Sequence, residues 1–181
     1  MKKKIVAVMF SAACFTSLNV YAGNDGASGT ITFTGDVSGG TCTAPVDFAA
    51  ASVHLGDVGQ NEMPQNGSTS GRLWDKVFNF TDCSPDIANV TTTVTFAQQG
   101  NDTRLIKNQG TSTNIVAYVT NDKTKQSSYK NGLSTGTSFD SVVNNGEGTV
   151  HLYGALVRNT SNTAISNGTL SYPINLVSVY H

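Results

Sequence analysis

The chain has 181 residues, 38% hydrophobic and 8% aromatic, with a formal net charge of -1 and only 13% Asp, Glu, Lys and Arg. That is about half the charged share usual in a soluble domain, and it leaves no basic patch able to neutralise a phosphate backbone, which excludes nucleic acid as a partner. The hydrophobic share is too high for disorder, and past the N-terminus no run of about 18 apolar residues could span a membrane. The length fits one domain with a short appendage, its polar surface carried by Thr, Ser, Asn and Gly.

The first 22 residues read as a secretory signal peptide. Lys2, Lys3 and Lys4 form a basic start, Ile5 to Leu18 is largely apolar, and Val20-Tyr21-Ala22 places small residues where a signal peptidase cuts. Cys14 follows Ser11-Ala12-Ala13, and a lipidation site carries a large aliphatic residue where Ser11 stands. Cleavage after Ala22 leaves two cysteines, Cys42 and Cys83. In an exported chain an even pair reads as a disulfide, and two cysteines allow one connectivity. Closing a loop of about 40 residues stabilises by about 4 kcal/mol if loop-closure entropy is the main contribution. No His or further Cys lies at ligand spacing from either, so no metal site is expected.

Period two dominates the rest of the chain. Thr30-Ile31-Thr32-Phe33 alternates and continues through Gly35 to Val37. Val53-His54-Leu55 predicts a short strand ending at Gly56-Asp57, and Val77-Phe78-Asn79-Phe80 predicts a strand running into Cys83. Val90, Thr92, Val94 and Phe96 share a face; so do Ile115, Ala117 and Val119. Val150 to Val157 is apolar on both faces, as in a central strand, and Leu170 to Tyr180 closes the chain. Gly39-Gly40, Asn66-Gly67, Asn131-Gly132, Asn145-Gly146 and Asn167-Gly168 punctuate these runs as turns, and 59–71 and 123–137 read as exposed loops. Short strands between such turns, with no helical spacing, indicate an all-β sandwich.

Catalysis has no support. His54, His151 and His181 sit in no HExxH pattern, and no GxSxG elbow, phosphate loop or dinucleotide fingerprint occurs. The acidic residues are scattered, and no cofactor is implied.

The order of these pieces carries a resemblance. A signal peptide is followed by Gly29-Thr30-Ile31-Thr32-Phe33-Thr34-Gly35-Asp36-Val37, then Cys42, then Val53-His54-Leu55-Gly56-Asp57-Val58. Phe78-Asn79-Phe80-Thr81-Asp82-Cys83 comes next, then Gly168 and a tail with a penultimate tyrosine, Tyr180-His181. The whole chain past residue 22 resembles the subunits of bacterial chaperone–usher fimbriae, the type 1 pilin group.

That resemblance implies an incomplete immunoglobulin-like sandwich lacking its last strand (residues 34–181), preceded by a donor-strand extension over 23–33. It implies a hydrophobic groove beside the final strand, filled first by a strand of a periplasmic chaperone and then, at an outer-membrane usher, by the extension of a neighbouring subunit. The donor face carries Ala27, Gly29, Ile31 and Phe33, preceded by Asp25; the acceptor strand presents Ile174, Leu176, Ser178 and Tyr180, with the C-terminal carboxylate of His181 anchored by the chaperone. Ser178 stands where such subunits carry an apolar residue, a register shifted onto Val177 and Val179 stays open, and Pro173 belongs at an edge or a strand's start. The implied role is a structural subunit at the cell surface, contributing to adhesion. A secreted binding module is the alternative, with Trp74 or the loop around Glu62–Ser70 meeting a host glycan or receptor.

Overall fold

The computed structural model describes residues 40–63, 69–159 and 164–181. The chain divides between Val37 and Ser38 into two units, and every described residue lies in the second. Its strands are β1 (Thr69–Phe80), β2 (Asn89–Phe96), β3 (Gln98–Gln99), β4 (Asp102–Lys107), β5 (Ile115–Thr120), β6 (Thr137–Asn144), β7 (Glu147–Arg158) and β8 (Ile174–Tyr180). Three single 3-10 turns join them, and no α-helix occurs among the described residues.

All the ladders are antiparallel. β7 is central, with β1 on one side and β5, β4 and β3 following on the other. The second sheet is β6-β2-β8. The two are continuous only where β6 meets the start of β7, at Val143↔Gly148 and Asn144↔Glu147. Asn145 and Gly146 both have positive φ there, 52° and 79°, the two-residue hairpin geometry whose twist matches the flanking strands.

Alternation builds the core between the sheets. Phe78 and Phe80 of β1, Val90 and Val94 of β2, Val119 of β5 and Leu156 of β7 are among the side chains buried in one cluster. β2 follows strict period two, its odd-numbered threonines outward, while β5 is buried on both faces. The outer face of β5 and β7 carries a second, smaller cluster of Leu105, Val116, Tyr118, Ala155 and Val157, with Tyr129 packed against it. This corrects the reading of 123–137 as a plain exposed loop. Gln126 in that segment is buried; its amide donates to the carbonyls of Trp74 (2.8 Å) and Gly154 (2.9 Å), and its own carbonyl accepts from the Tyr118 hydroxyl.

Three further expectations change, the first being that β1 already begins at Thr69, inside the stretch 59–71 read as an exposed loop. Residues 53–55 form no strand, and the last strand begins at Ile174 rather than Leu170, directly after Pro173, which has no N–H to give a ladder. β4 and β6 carried too little apolar alternation to stand out: DTRLIK has two adjacent apolar residues, and β6 places Asp140 and Ser141 between Phe139 and Val143.

Gly154 lies opposite Trp74 in the β1–β7 ladder. A Cβ added there would meet the indole at 2.2 Å and the Tyr118 carbonyl oxygen at 2.6 Å. Gly154→Ala should therefore destabilise the fold by about 2–3 kcal/mol in a urea titration, as overpacking does. Gly100→Ala, where only a positive φ is at stake and nothing lies within 4 Å, should cost about 1 kcal/mol.

Candidate functional site

One end of the molecule is tied together covalently. Cys42 and Cys83 form a disulfide, Thr43 bridges Thr81 through two main-chain hydrogen bonds, and Thr41 pairs with Ser84. Phe48 then stacks edge-on against Phe78 and Phe80, with ring centroids 5.1 and 5.3 Å away, and Phe80 meets Tyr180 at 5.9 Å. A main-chain oxygen of His181 accepts from the amides of Ala88 and Asn89. This base therefore gathers the start of the described chain, the end of β1 and the end of β8.

From the base β8 runs beside β2, from Tyr180↔Val90 to Ile174↔Phe96. Among the described residues β2 is its only ladder partner, so one edge of β8 carries no strand. Ile174, Leu176, Ser178 and Tyr180 face inward but are only half-buried, whereas Val90, Val94 and Thr92 beside them in the ladder are fully buried. The segment 49–58, most of it exposed, joins no ladder among the described residues. Between segment and strand lies a groove of about 1150 Å³, above the usual 300–1,000 Å³ of a small-molecule pocket. Phe48, Leu55, Trp74, Phe78, Ile174 and Leu176 are among its lining.

The far end of the groove is polar. Gln60 donates from its side chain to Asn167 across the gap at 3.0 Å. Arg72 holds the wall segment to β1, pairing with Glu62 at 2.6 Å and donating to the Asp57 carbonyl. Its guanidinium hydrogen bond keeps the Glu62 carboxyl below its usual range and the Arg72 pKa raised. Loops 108–114 and 164–171 close against each other beside it, with Thr169, Ser166 and Asn108 in shared hydrogen bonds.

Two polar features sit within the apolar strip. Ser178 pairs with the fully buried Thr92, hydroxyl to hydroxyl at 2.8 Å, so the serine matches its cross-strand neighbour. Lys76 shares the inward parity of Trp74, Phe78 and Phe80 and lines the groove; its ammonium binds Asp47 at 2.5 Å and lies 5.6 Å from the Phe78 ring centroid. That hydrogen bond holds the Asp47 carboxyl below its usual range. Tyr172 lines the groove with its hydroxyl buried and unpartnered, and burial pushes its phenol pKa up.

Of the residues singled out in sequence, Ile174 and Leu176 line the groove, while Ser178, Tyr180 and His181 continue the strand toward the base. Ala27, Gly29, Ile31 and Phe33 lie outside the described residues, as does the segment 1–22. Trp74 packs over Gly154 and lines the groove. His54 and His151 are exposed, and His151 stacks on Tyr153. Lys76 was missed, and parity with Phe78 and Phe80 was the signal available for it; residues 53–58 were singled out, but as a short strand rather than as a wall of the groove.

No family model matches the chain, and no curated protein does. Solved structures match. The P pilus rod subunit PapA aligns with a TM-score of 0.62 at 14% identity, over 77% of this chain and 99% of that one. The fold is that of a chaperone–usher pilus subunit. A second structure, of a chaperone–usher pilus analysed for rod uncoiling, gives a TM-score of 0.63 at 16% identity over 91% of this chain and all of that one. The CupB6 tip adhesin from Pseudomonas aeruginosa matches at 0.56 and 16% identity, over 70% of this chain but only 35% of its own. The pilin fold is thus shared with little sequence in common.

Ser178→Ala should strand the buried Thr92 hydroxyl and lower unfolding free energy by about 1–3 kcal/mol. The pair Thr92→Val, Ser178→Ala, which removes both hydroxyls, should recover most of that loss in the same denaturant titration.

Proposed function

We propose that the chain is a structural subunit of a chaperone–usher-assembled fimbria and polymerises by donor-strand exchange. The observation that carries this reading is the groove, where among the described residues β8 has a strand on one side only and the wall joins no ladder. An unpaired edge beside apolar side chains invites another strand and, left open, invites aggregation. A strand entering here would satisfy main-chain groups on β8 and on the wall, and its alternate side chains would rest on Leu55, Trp74, Ile174 and Leu176.

The donor is residues 23–33 of the next copy, with Ala27, Gly29, Ile31 and Phe33 turned inward. Before assembly a periplasmic chaperone lends the missing strand, and an outer-membrane usher hosts the exchange. A signal peptide over 1–22 brings the chain to the periplasm, and the fibre stands on the cell surface. The likeness to pilus subunits over nearly their full lengths supports polymerisation with neighbouring copies, and a role without catalysis fits it. No cofactor is needed.

The test is thermal unfolding of the chain lacking residues 1–33, with and without a peptide of residues 23–33. Capture of the peptide should raise the Tm by more than about 10 °C, because a ligand bound only by the folded state stabilises by mass action. An unchanged Tm at saturating peptide would mean that this groove takes no strand from that segment.

A further inference from the structure

The wall of the groove is fastened at its ends. Among the described residues, 51–56 make no hydrogen bond, and Leu55 and Val58 hold to the core by packing alone. At one end Phe48 sits on Phe78 and Phe80, and the Asp47 carboxylate takes the Lys76 ammonium at 2.5 Å. At the other, Arg72 grips the Glu62 carboxylate with Nε at 2.6 Å and Nη2 at 3.1 Å, and Nη2 also donates to the Asp57 carbonyl at 2.7 Å. Glu62 in turn accepts from the Gly59 amide, which ties the guanidinium to the 3-10 turn 60–62.

Both fastening cations belong to β1. Arg72, Trp74 and Lys76 are alternate residues of that strand, and Trp74 between them lines the groove while its indole lies over Gly154. Between its fastened points, Asp47 and Asp57, the wall has nine residues; β1 between Lys76 and Arg72 has three. At about 3.3 Å for each extended residue, the wall has chain to spare.

Resting on the function proposed above, we infer that Arg72 and Lys76 are positioning residues: they clip the two ends of the wall to β1, and the slack arch between the clips closes on an incoming strand. A wall free at one end would swing away from its occupant. With both ends held, the arch can shift to admit a strand and settle on it without either end letting go. Fewer arrangements are then lost when the strand arrives, so less ordering entropy opposes capture. Both pairs reach solvent, so each adds little to the stability of the fold. What they fix is the place of the wall.

The experiment uses the chain from residue 23 to 181, held dilute, and a labelled peptide of residues 23–33 whose release is timed. Lys76→Met, which keeps the apolar stem, and Asp47→Ala should each speed release about threefold, and the two together should add nothing further, being one clip. At the other end Arg72→Met should exceed Glu62→Gln, because it also drops the Asp57 carbonyl. Asp47→Ala combined with Glu62→Gln, one change in each clip, should reach about tenfold. The urea midpoint of the empty chain should move little throughout. Trp74 is the only tryptophan, and its emission in the empty chain should shift to the red in each variant as the wall leaves the indole. Release and emission unchanged in all the variants, or release that speeds only with a matching fall in urea midpoint, overturns the inference while leaving strand capture intact. Wild-type chain that holds no peptide overturns the proposed function, and the clamp falls with it.

Discussion

The architecture turns on β8, a strand that among the described residues has a hydrogen-bonded neighbour on one side only. Its inward residues flank Val90, Thr92 and Val94 in the ladder, yet they remain half-covered, and among the described residues no strand continues the sheet beyond them. A strand supplies two things at once, main-chain partners along the edge and a strip of side chains over the core. Where it is missing, both deficits fall on the same two elements. One is β8; the other is the segment 49–58, which joins no ladder among the described residues. The exposed wall and the half-buried strand are therefore one feature seen from two sides.

How much of this was legible in the sequence follows from where periodicity survives. β1, β2, β5, β7 and β8 declare themselves because each buries a run of alternate or consecutive apolar residues. The Asn145-Gly146 hairpin was legible from its turn chemistry, which demands two positive φ angles. β4 and β6 were not, since a strand at the rim buries few side chains and can be written almost entirely in polar residues. The predicted strand at Val53-His54-Leu55 carries a strand-like pattern, but a ladder needs a partner, and pairing is a property of the assembly rather than of the segment. Ser178 misled in the opposite direction: a polar residue in an apolar strip looks like a weakness until Thr92 is found across the ladder. Lys76 could have been found by extending the parity of Phe78 and Phe80 by one step, but its partner Asp47 lies 29 residues away, and a reading along the chain cannot place the two together.

The charged share of the chain is low, and that gives individual charges unusual influence. Most polar contacts near the groove are between hydroxyls and amides: Thr92 with Ser178, Gln60 with Asn167, and the two facing loops at the far end. Such contacts satisfy buried groups without creating a long-range field. Against that neutral background, the Lys76 ammonium and the Asp57 carboxylate are the charged side chains, histidine aside, among the groove's described lining residues, and their fields are little blurred by other charges.

The disulfide has a mechanical meaning as well. Cys42 directly precedes Thr43, which pairs with Thr81, and Cys83 lies just beyond the end of β1. Tension applied along the chain ahead of Cys42 therefore crosses a covalent bond at once and bypasses residues 43–82. The load passes instead through residues 84–88 to β2, and from β2 to β8 across seven paired positions arranged in shear. Pulled from its N-terminal side, this domain would bear force through a ladder whose rungs must break together.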